Sequence, residues 1–277
     1  MSSPNLSLDR YYDRLTLYAR LARWLGADAG YGAATVHRAL RPVDAALSPF
    51  DAVHGLIDAE LGPAAPHRLL DVGCGLGGTS LYFARRRAAQ CDGIALSADQ
   101  VHTANANARK AGLDARCRFQ VANFDGPLKL RHYDAVLAIE SLAHAPDLAA
   151  SIANLAKSLA PGGRLVVVDD VAAPGADARD TALFKAGWQV PSFVPHADWH
   201  AAFAGAGLRV VRDVDLTARV VQRGAWQRAA LTGLNAVAHA LVPHADLRAV
   251  LASHRGGLAL ERLYARGQSA YRLFVAL

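Results

Sequence analysis

Cysteine is scarce in this 277-residue chain, with only Cys74, Cys91 and Cys117 present. Three is a poor number for a disulfide framework, and the spacing fits no metal-ligand pattern, so no metal site is expected. A reducing, cytoplasmic compartment is the simple expectation. Long apolar runs are also missing: no stretch approaches the roughly 18 consecutive apolar residues of a membrane span. The first residues, MSSPNLSLDR, lack a basic-then-apolar leader. Blocks of like charge are missing too. Lys and Arg number 30 against 24 acids, but they are scattered, and the densest run is Arg85-Arg86-Arg87. A nucleic-acid groove needs its basic residues clustered on one face. Nucleic acid is therefore not the expected partner, and such a run reads first as a solvated helix face. What is present is apolar material for a core, 52% of the chain. The length suits one large domain, or one domain with a cap.

The chain is organised around residues 69–80, LLDVGCGLGGTS. An apolar run, 68–72, ends in an acid and then a glycine-rich turn, and a helix begins near Thr79. Glycines let backbone pass close to a ligand and adopt positive φ without steric cost. A strand, a tight glycine turn and a helix N-terminus make a nucleotide-binding corner. The spacing of Gly73, Gly75 and Gly78 matches the dinucleotide fingerprint only loosely. Asp71, two residues before the first glycine, strengthens the signal, because a charge buried in a strand needs a partner.

Around this stretch, strands and helices alternate. Strands are expected at 68–72, 92–96, 117–121, 133–139 and 164–168, and helices at 79–89, 97–111 and 148–159. Ser97 reads as an N-cap, with Gln100 completing a capping box. After strand five, a helix at 199–207, strands at 208–215 and 269–277, and helical patterns over 218–266 are expected. Residues 8–26 carry Tyr11, Leu15, Tyr18 and Leu21 at helical spacing. The fold expected is α/β: a Rossmann-like, doubly wound, mostly parallel seven-stranded sheet with a helical cap. Its division is 1–64 as N-terminal cap, 65–217 as core, 218–268 as a helical insertion and 269–277 as the last core strand.

DVGCGLGG, together with later segments, resembles the class I S-adenosylmethionine (SAM)-dependent methyltransferases. GIALSADQV (93–101), the Asn123-Phe124-Asp125 turn, IESLAHAPD (139–147) and LAPGGR (159–164) fall in the family's order. The forms G-I-x-L-S-x-x-Q and E-S-x-x-H-x-P-D are similar to the branch of tocopherol, sterol, ubiquinone and natural-product methyltransferases. The resemblance implies SAM as cofactor, held by Tyr12 of an N-terminal lid, Asp71, Gly73, Cys74, Gly75, Leu96, Ser97, Gln100, Asn123, Phe124 and Ile139. Without it, the aromatic stripe of 8–26 reads as core-facing, Gln100 as a capping residue and Asn123 as part of an ordinary turn.

The same resemblance puts Glu140, His144 and Asp169 at the catalytic centre. Glu140 and His144 can each take a proton near neutrality if their surroundings allow it, and His144 reads equally as a loop orienter. Related sugar O-methyltransferases place two histidines beside the acid equivalent to Asp169; here the first is Ala143, which leaves carbon and nitrogen acceptors open. The implied activity is methyl transfer to a small, largely apolar metabolite. The rivals are an RNA acceptor and a SAM-binding role without methyl transfer. Arg38, Arg41, Arg219 and Arg223 are candidates to grip an anionic acceptor, or simply to be solvated. An apolar face on the N-terminal helix leaves room for a homodimer.

Overall fold

The computed structural model describes residues 35, 37–42, 44–63, 68–126, 128 and 132–277. Tyr12 and the helix expected over 8–26 lie outside them.

β1 (Arg68–Val72) lies inside the sheet because Leu69, Leu70 and Val72 all bury their side chains. Parallel neighbours flank it on both sides, β2 (Gln90–Ala95) and β4 (Tyr133–Ile139), with Asp71 opposite Gly93 and Leu137. β3 (Cys117–Val121) continues beyond β2, and β5 (Leu159–Ala172) beyond β4. β7 (Ser269–Ala276) then runs antiparallel to β5, and β6 (Val210–Asp215) antiparallel to β7. The order β3-β2-β1-β4-β5-β7-β6 is the expected seven-stranded, mostly parallel sheet.

Side chains alternate across the strands and so build two cores. Leu69, Leu137 and Val166 face a layer made by α1 (Ala52–Leu61), α2 (Gly78–Arg87), α3 (Ala98–Lys110), α5 (Ala178–Trp188) and α8 (Ala245–Ala265). Leu70, Val136 and Val167 face α4 (Leu148–Ala156) and α6 (His196–Gly205). α7 (Ala225–Leu241) precedes α8, and both are inserted between β6 and β7.

Two element starts and one unexpected helix stand out against expectation. β5 starts at Leu159: Leu159 pairs with Tyr133 before the Pro161-Gly162-Gly163 turn, and a register shift follows. α6 starts at His196, just after Pro195, which suits a helix entrance. α5 is the larger surprise, because its sequence, ARDTALFKAGW, has no strong apolar stripe. It exists because α8 holds it. A Cβ on Gly187 would come within 2.4 Å of the Ala252 carbonyl oxygen and 2.9 Å of the Gly256 Cα. Two backbones therefore cross where only glycine fits. Arg262 of α8 then pairs with the buried Asp180 of α5 at 2.5 Å.

Candidate active site

Parallel strands deliver their following loops to one edge, so the sheet itself gathers the residues singled out above. Between β1 and α2 lies the glycine turn, with φ of +72° at Gly73, +51° at Gly75 and +89° at Gly77. The amides of Gly73 and Cys74 both donate to the Ile94 carbonyl at 2.9 Å, pinning the turn to β2. Gly73 is exposed while Cys74 and Gly75 are buried. A Cβ on Gly73 would sit 2.6 Å from the Ser141 Cβ, so the β1 and β4 loops touch there. The Ser141 hydroxyl is buried without a hydrogen-bond partner among the described residues.

Asp71 has a structural partner. Its Oδ2 accepts from the Ser80 amide at 3.1 Å and the Ser80 hydroxyl at 2.8 Å, tying β1 to the start of α2. Burial pushes its carboxyl up to about 6, against the pull of those two bonds. Ser97 caps α3 by accepting the Gln100 amide at 3.0 Å, and both residues are buried. Leu96 is half-buried beside them. After β3, Asn123 is exposed and its Oδ1 accepts the Asp125 amide at 2.9 Å, an Asx turn. Phe124 is buried in the core layer of α4, and Ile139 is buried at the end of β4.

The residue after Ile139 is Glu140, held at φ +50°, a conformation rare for a residue with a side chain. Three contacts converge on its Oε1: the Arg38 amide at 2.8 Å, the Tyr271 hydroxyl at 2.8 Å and the Arg38 guanidinium at 3.1 Å. Oε2 has no hydrogen bond among the described residues. Arg38 also donates to Asp170 Oδ2 at 2.7 Å, while the Tyr264 hydroxyl bonds Oδ1 of the same acid. Three ring faces surround the guanidinium, Trp188 at 4.8 Å, Tyr271 at 5.2 Å and Tyr264 at 5.7 Å. Burial alone would discharge Arg38, but Asp170 and Glu140 outweigh it and hold the cation well above its ordinary range. Arg38 is thus no surface residue. Arg219, by contrast, donates to the Arg41 carbonyl, and Arg223 pairs with Glu261 at 2.5 Å.

The strap carrying Arg38 is fixed at both sides. Leu40 bridges Val220, and the Arg41 amide donates to the Arg219 carbonyl at 2.7 Å. His37 meets the buried His54 at 3.2 Å, and His54 reaches the Thr79 hydroxyl of α2 at 3.1 Å. Burial, with help from His54, lowers His37 to about 4.

Asp169 lies on the other face of β5 from Asp170. Its Oδ2 accepts the Ala143 amide at 2.9 Å and its Oδ1 the Asp170 amide at 2.8 Å. Burial first, and then the Asp170 charge, push its carboxyl up to about 8. Both oxygens are used on backbone, so Asp169 positions the 140–144 loop from behind. His144 ends the short 3-10 turn Leu142–His144, its ring bonded to the Gln189 backbone. Burial lowers it to about 4, so it is neutral at pH 7.

A pH prediction follows from His144. The unfolded chain takes up its proton below about 6.5, whereas the folded protein takes it only below about 4. Stability is therefore lost as pH falls from 6.5 toward 4. In His144→Gln, this loss is expected to shrink by up to about 1.4 kcal/mol per pH unit across that window. Parallel urea titrations of both proteins at pH 7 and pH 5 measure it, and an equal loss in the two would refute it.

The structure thus brings Gly73, Cys74, Gly75, Leu96, Ser97, Gln100, Asn123, Phe124, Ile139, Glu140 and His144 to one edge. Asp71 and Asp169 brace it from inside. Asp170, Tyr264 and Tyr271 escaped the sequence reading, since partners more than 90 residues apart share no spacing. The one available signal was the second acid of the Asp169-Asp170 pair, because successive strand residues face opposite layers.

Residues 70–167 match a family model described as a methyltransferase domain. The tocopherol O-methyltransferase of Arabidopsis thaliana is 41% identical over 102 residues, 36% of this chain and 29% of that protein. The 27-O-demethylrifamycin SV methyltransferase of Amycolatopsis mediterranei (strain S699) is 34% identical over 170 residues, covering 60% of this chain and 62% of that one. The matched part thus spans less than two thirds of these relatives. Among solved structures, a geranyl diphosphate methyltransferase in complex with GPP and sinefungin superposes over 97% of each chain, with a TM-score of 0.71 and 22% identity. The [4+2]-cyclase SpnF does so over 96% of each, with a TM-score of 0.68 and 23% identity. At these identities the likeness is one of fold.

Proposed function

We propose that this chain is a class I SAM-dependent methyltransferase that transfers a methyl group to oxygen or carbon of a small, largely apolar metabolite. One observation carries the reading: the exposed Gly73 backbone meets the Glu140–His144 loop at the carboxyl edge of the sheet. The cofactor fits what is there. Gly73 leaves a cradle that a Cβ would fill, and the buried Ser141 hydroxyl beside it has no hydrogen-bond partner among the described residues. Gly73, Cys74 and Gly75 would hold SAM on one side, Leu96, Ser97 and Gln100 on the next, and Asn123, Phe124 and Ile139 on the third. When bound, SAM supplies a methyl group on a sulfonium that is already a strong electrophile. The protein's part is alignment and exclusion of water.

In this reading 1–64 and 218–268 are the cap, and 65–217 with 269–277 the cofactor-binding core. Glu140 is the base. Arg38 and Tyr271 fix its Oε1, which turns Oε2 toward an acceptor hydroxyl whose proton it would take. His144, neutral and anchored on Gln189, orients the loop. Asp169 holds that loop through Ala143. An alkene acceptor would develop positive charge on carbon, which three aromatic rings and two carboxylates can stabilise. Arg38 already fills that cage, so the arrangement favours oxygen.

One observation weighs against an RNA acceptor. Arg38, Arg87, Arg262 and Arg272 are all engaged by acids, so the basic excess forms no free stripe through them. No helix among the described residues is long and apolar enough to cross a membrane. The free, buried state of all three cysteines suits a cytoplasmic setting. Exposed Trp226, Leu234, Val237 and Leu241 share one side of α7 and support self-association, which sedimentation would read directly.

Calorimetry with SAM and S-adenosylhomocysteine, followed by labelled methyl transfer to phenols and hydroxylated terpenoids, tests the proposal. Binding of both and transfer to oxygen are expected; binding without transfer to any acceptor class would favour the non-methylating role. Glu140→Gln is expected to slow transfer by roughly 10²–10⁴-fold while S-adenosylhomocysteine binding stays within a few fold. Unchanged turnover would remove Glu140 from the chemistry.

A further inference from the structure

The far edge of the sheet carries a cluster that the methyl-transfer reading does not use. His196 and His200 stand one turn apart on α6, in the sequence HADWH, and both face β6. Their Nε2 atoms approach the same oxygen, Oδ2 of Asp213, at 2.7 Å and 2.8 Å. The three donor atoms lie within 4.8 Å of one another.

We propose that His196, His200 and Asp213 form a binding site for a borderline divalent cation of the Zn²⁺ class. Residues at i and i+4 share one helix face, which lets two imidazoles reach one ion. Zinc takes His nitrogen and carboxylate oxygen at about 2.0–2.2 Å. Two ligands at that range on a tetrahedral ion are about 3.3–3.4 Å apart. The observed 2.7 Å and 2.8 Å separations are hydrogen bonds, so the two rings must open by about 0.6 Å and give up their Nε2 protons to admit the ion. Each neutral imidazole would then carry its proton on Nδ1, leaving Nε2 for the metal.

The surroundings support the site. Arg272 donates to the other oxygen, Oδ1, from Nε and Nη2, both at 2.7 Å, and so fixes the carboxylate with Oδ2 toward the histidines. Such outer partners are what orient metal ligands. Both rings pack against Phe274, His196 stacked at 6.0 Å and His200 edge-on at 5.8 Å. The histidines are 45% and 40% exposed, so an ion enters from solvent and keeps water on its open positions. Asp215, held by Arg272 at 3.6 Å, adds a second negative charge nearby. Two imidazoles and one carboxylate suit zinc, nickel or iron(II) and give calcium or magnesium little. The ion would clamp α6 to β6, far along the sheet from the glycine turn.

The test is calorimetry with ZnCl₂ on the full chain, with bound metal counted after dialysis and the Tm followed by circular dichroism. One Zn²⁺ per chain and a Tm that rises with Zn²⁺ concentration are expected. His200→Ala and Asp213→Asn should each weaken that binding by roughly tenfold or more. The protein has 11 histidines and three cysteines, so the variants distinguish this site from adventitious binding. Absence of zinc binding, or binding equally tight in folded His200→Ala, overturns the proposal. His200→Ala leaves α6 anchored through Trp199 and Phe203, so its spectrum should remain that of the parent. Because the readout is metal content and Tm, the result is independent of the methyl-transfer reading.

Discussion

Gly73→Ala is expected to weaken binding of SAM and S-adenosylhomocysteine by roughly a hundredfold or more, about 3 kcal/mol. Two costs combine. The residue sits at φ +72°, where an L side chain is strained by about 1–2 kcal/mol. The new Cβ would also lie 2.6 Å from the Ser141 Cβ, an atom fixed to backbone that no rotamer can move aside. The 140–144 loop must therefore shift, and it is held on its other side by Asp169 and Val168. The damage falls on the cradle more than on the core, because Gly73 is exposed. Calorimetry with S-adenosylhomocysteine reads the effect, with circular dichroism to establish folding. Adding Ser141→Gly removes the atom in contact and should recover part of the affinity, while the φ cost persists. A folded Gly73→Ala protein that binds as tightly as the parent would mean that the cofactor does not use this turn.

Arg38→Met is expected to destabilise the fold by about 3–5 kcal/mol. Methionine keeps the apolar stem of arginine, ending about where Nε stands, but leaves Glu140 and Asp170 without their cation. Both acids are deeply set, with side chains 13% and 3% exposed. Breaking one side of a buried pair is costly because the remaining charge is left uncompensated. Here one guanidinium serves two carboxylates and three rings at once. Lysine cannot replace it: an ammonium has no planar face for the rings and no fork to span both acids. Arg38→Lys should therefore fall between Met and the parent in urea midpoint. Asp170→Asn added to Arg38→Met removes one orphaned charge and should restore part of the loss. An Arg38→Met protein with the parent's midpoint would show that the cage contributes nothing to the fold. Methyl transfer should fall with it, because Glu140 Oε1 loses its guanidinium partner.

The local signals in this sequence are strongest where chemistry is contiguous. Asp71, Gly73 and Gly75 lie within five residues, and Glu140 and His144 within five more. A parallel sheet brings the ends of β1 and β4 side by side whatever else the chain does. Order and spacing therefore determined the fold and the sheet edge, while the candidate cofactor contacts rested on the family resemblance. Asp71 shows the limit of that logic. Its buried charge does have a partner, but the partner is Ser80, within the protein.

Tertiary structure decided the rest. Arg38 and Tyr271 are 233 positions apart, yet both contact one oxygen of Glu140. Whether an arginine is solvated or caged depends on what packs around it, and no pattern near Arg38 encodes Trp188, Tyr264 and Tyr271. The same holds for α5, a weakly patterned segment that is helical because Gly187 lets α8 cross it closely. It holds at the far edge, where His196 and His200 show their spacing in the sequence but Asp213 joins them only once β6 lies beside α6. The sequence set the strands because alternation and turn chemistry are local. Only the folded chain set the charges, because a buried cation is defined by the carboxylates that close around it.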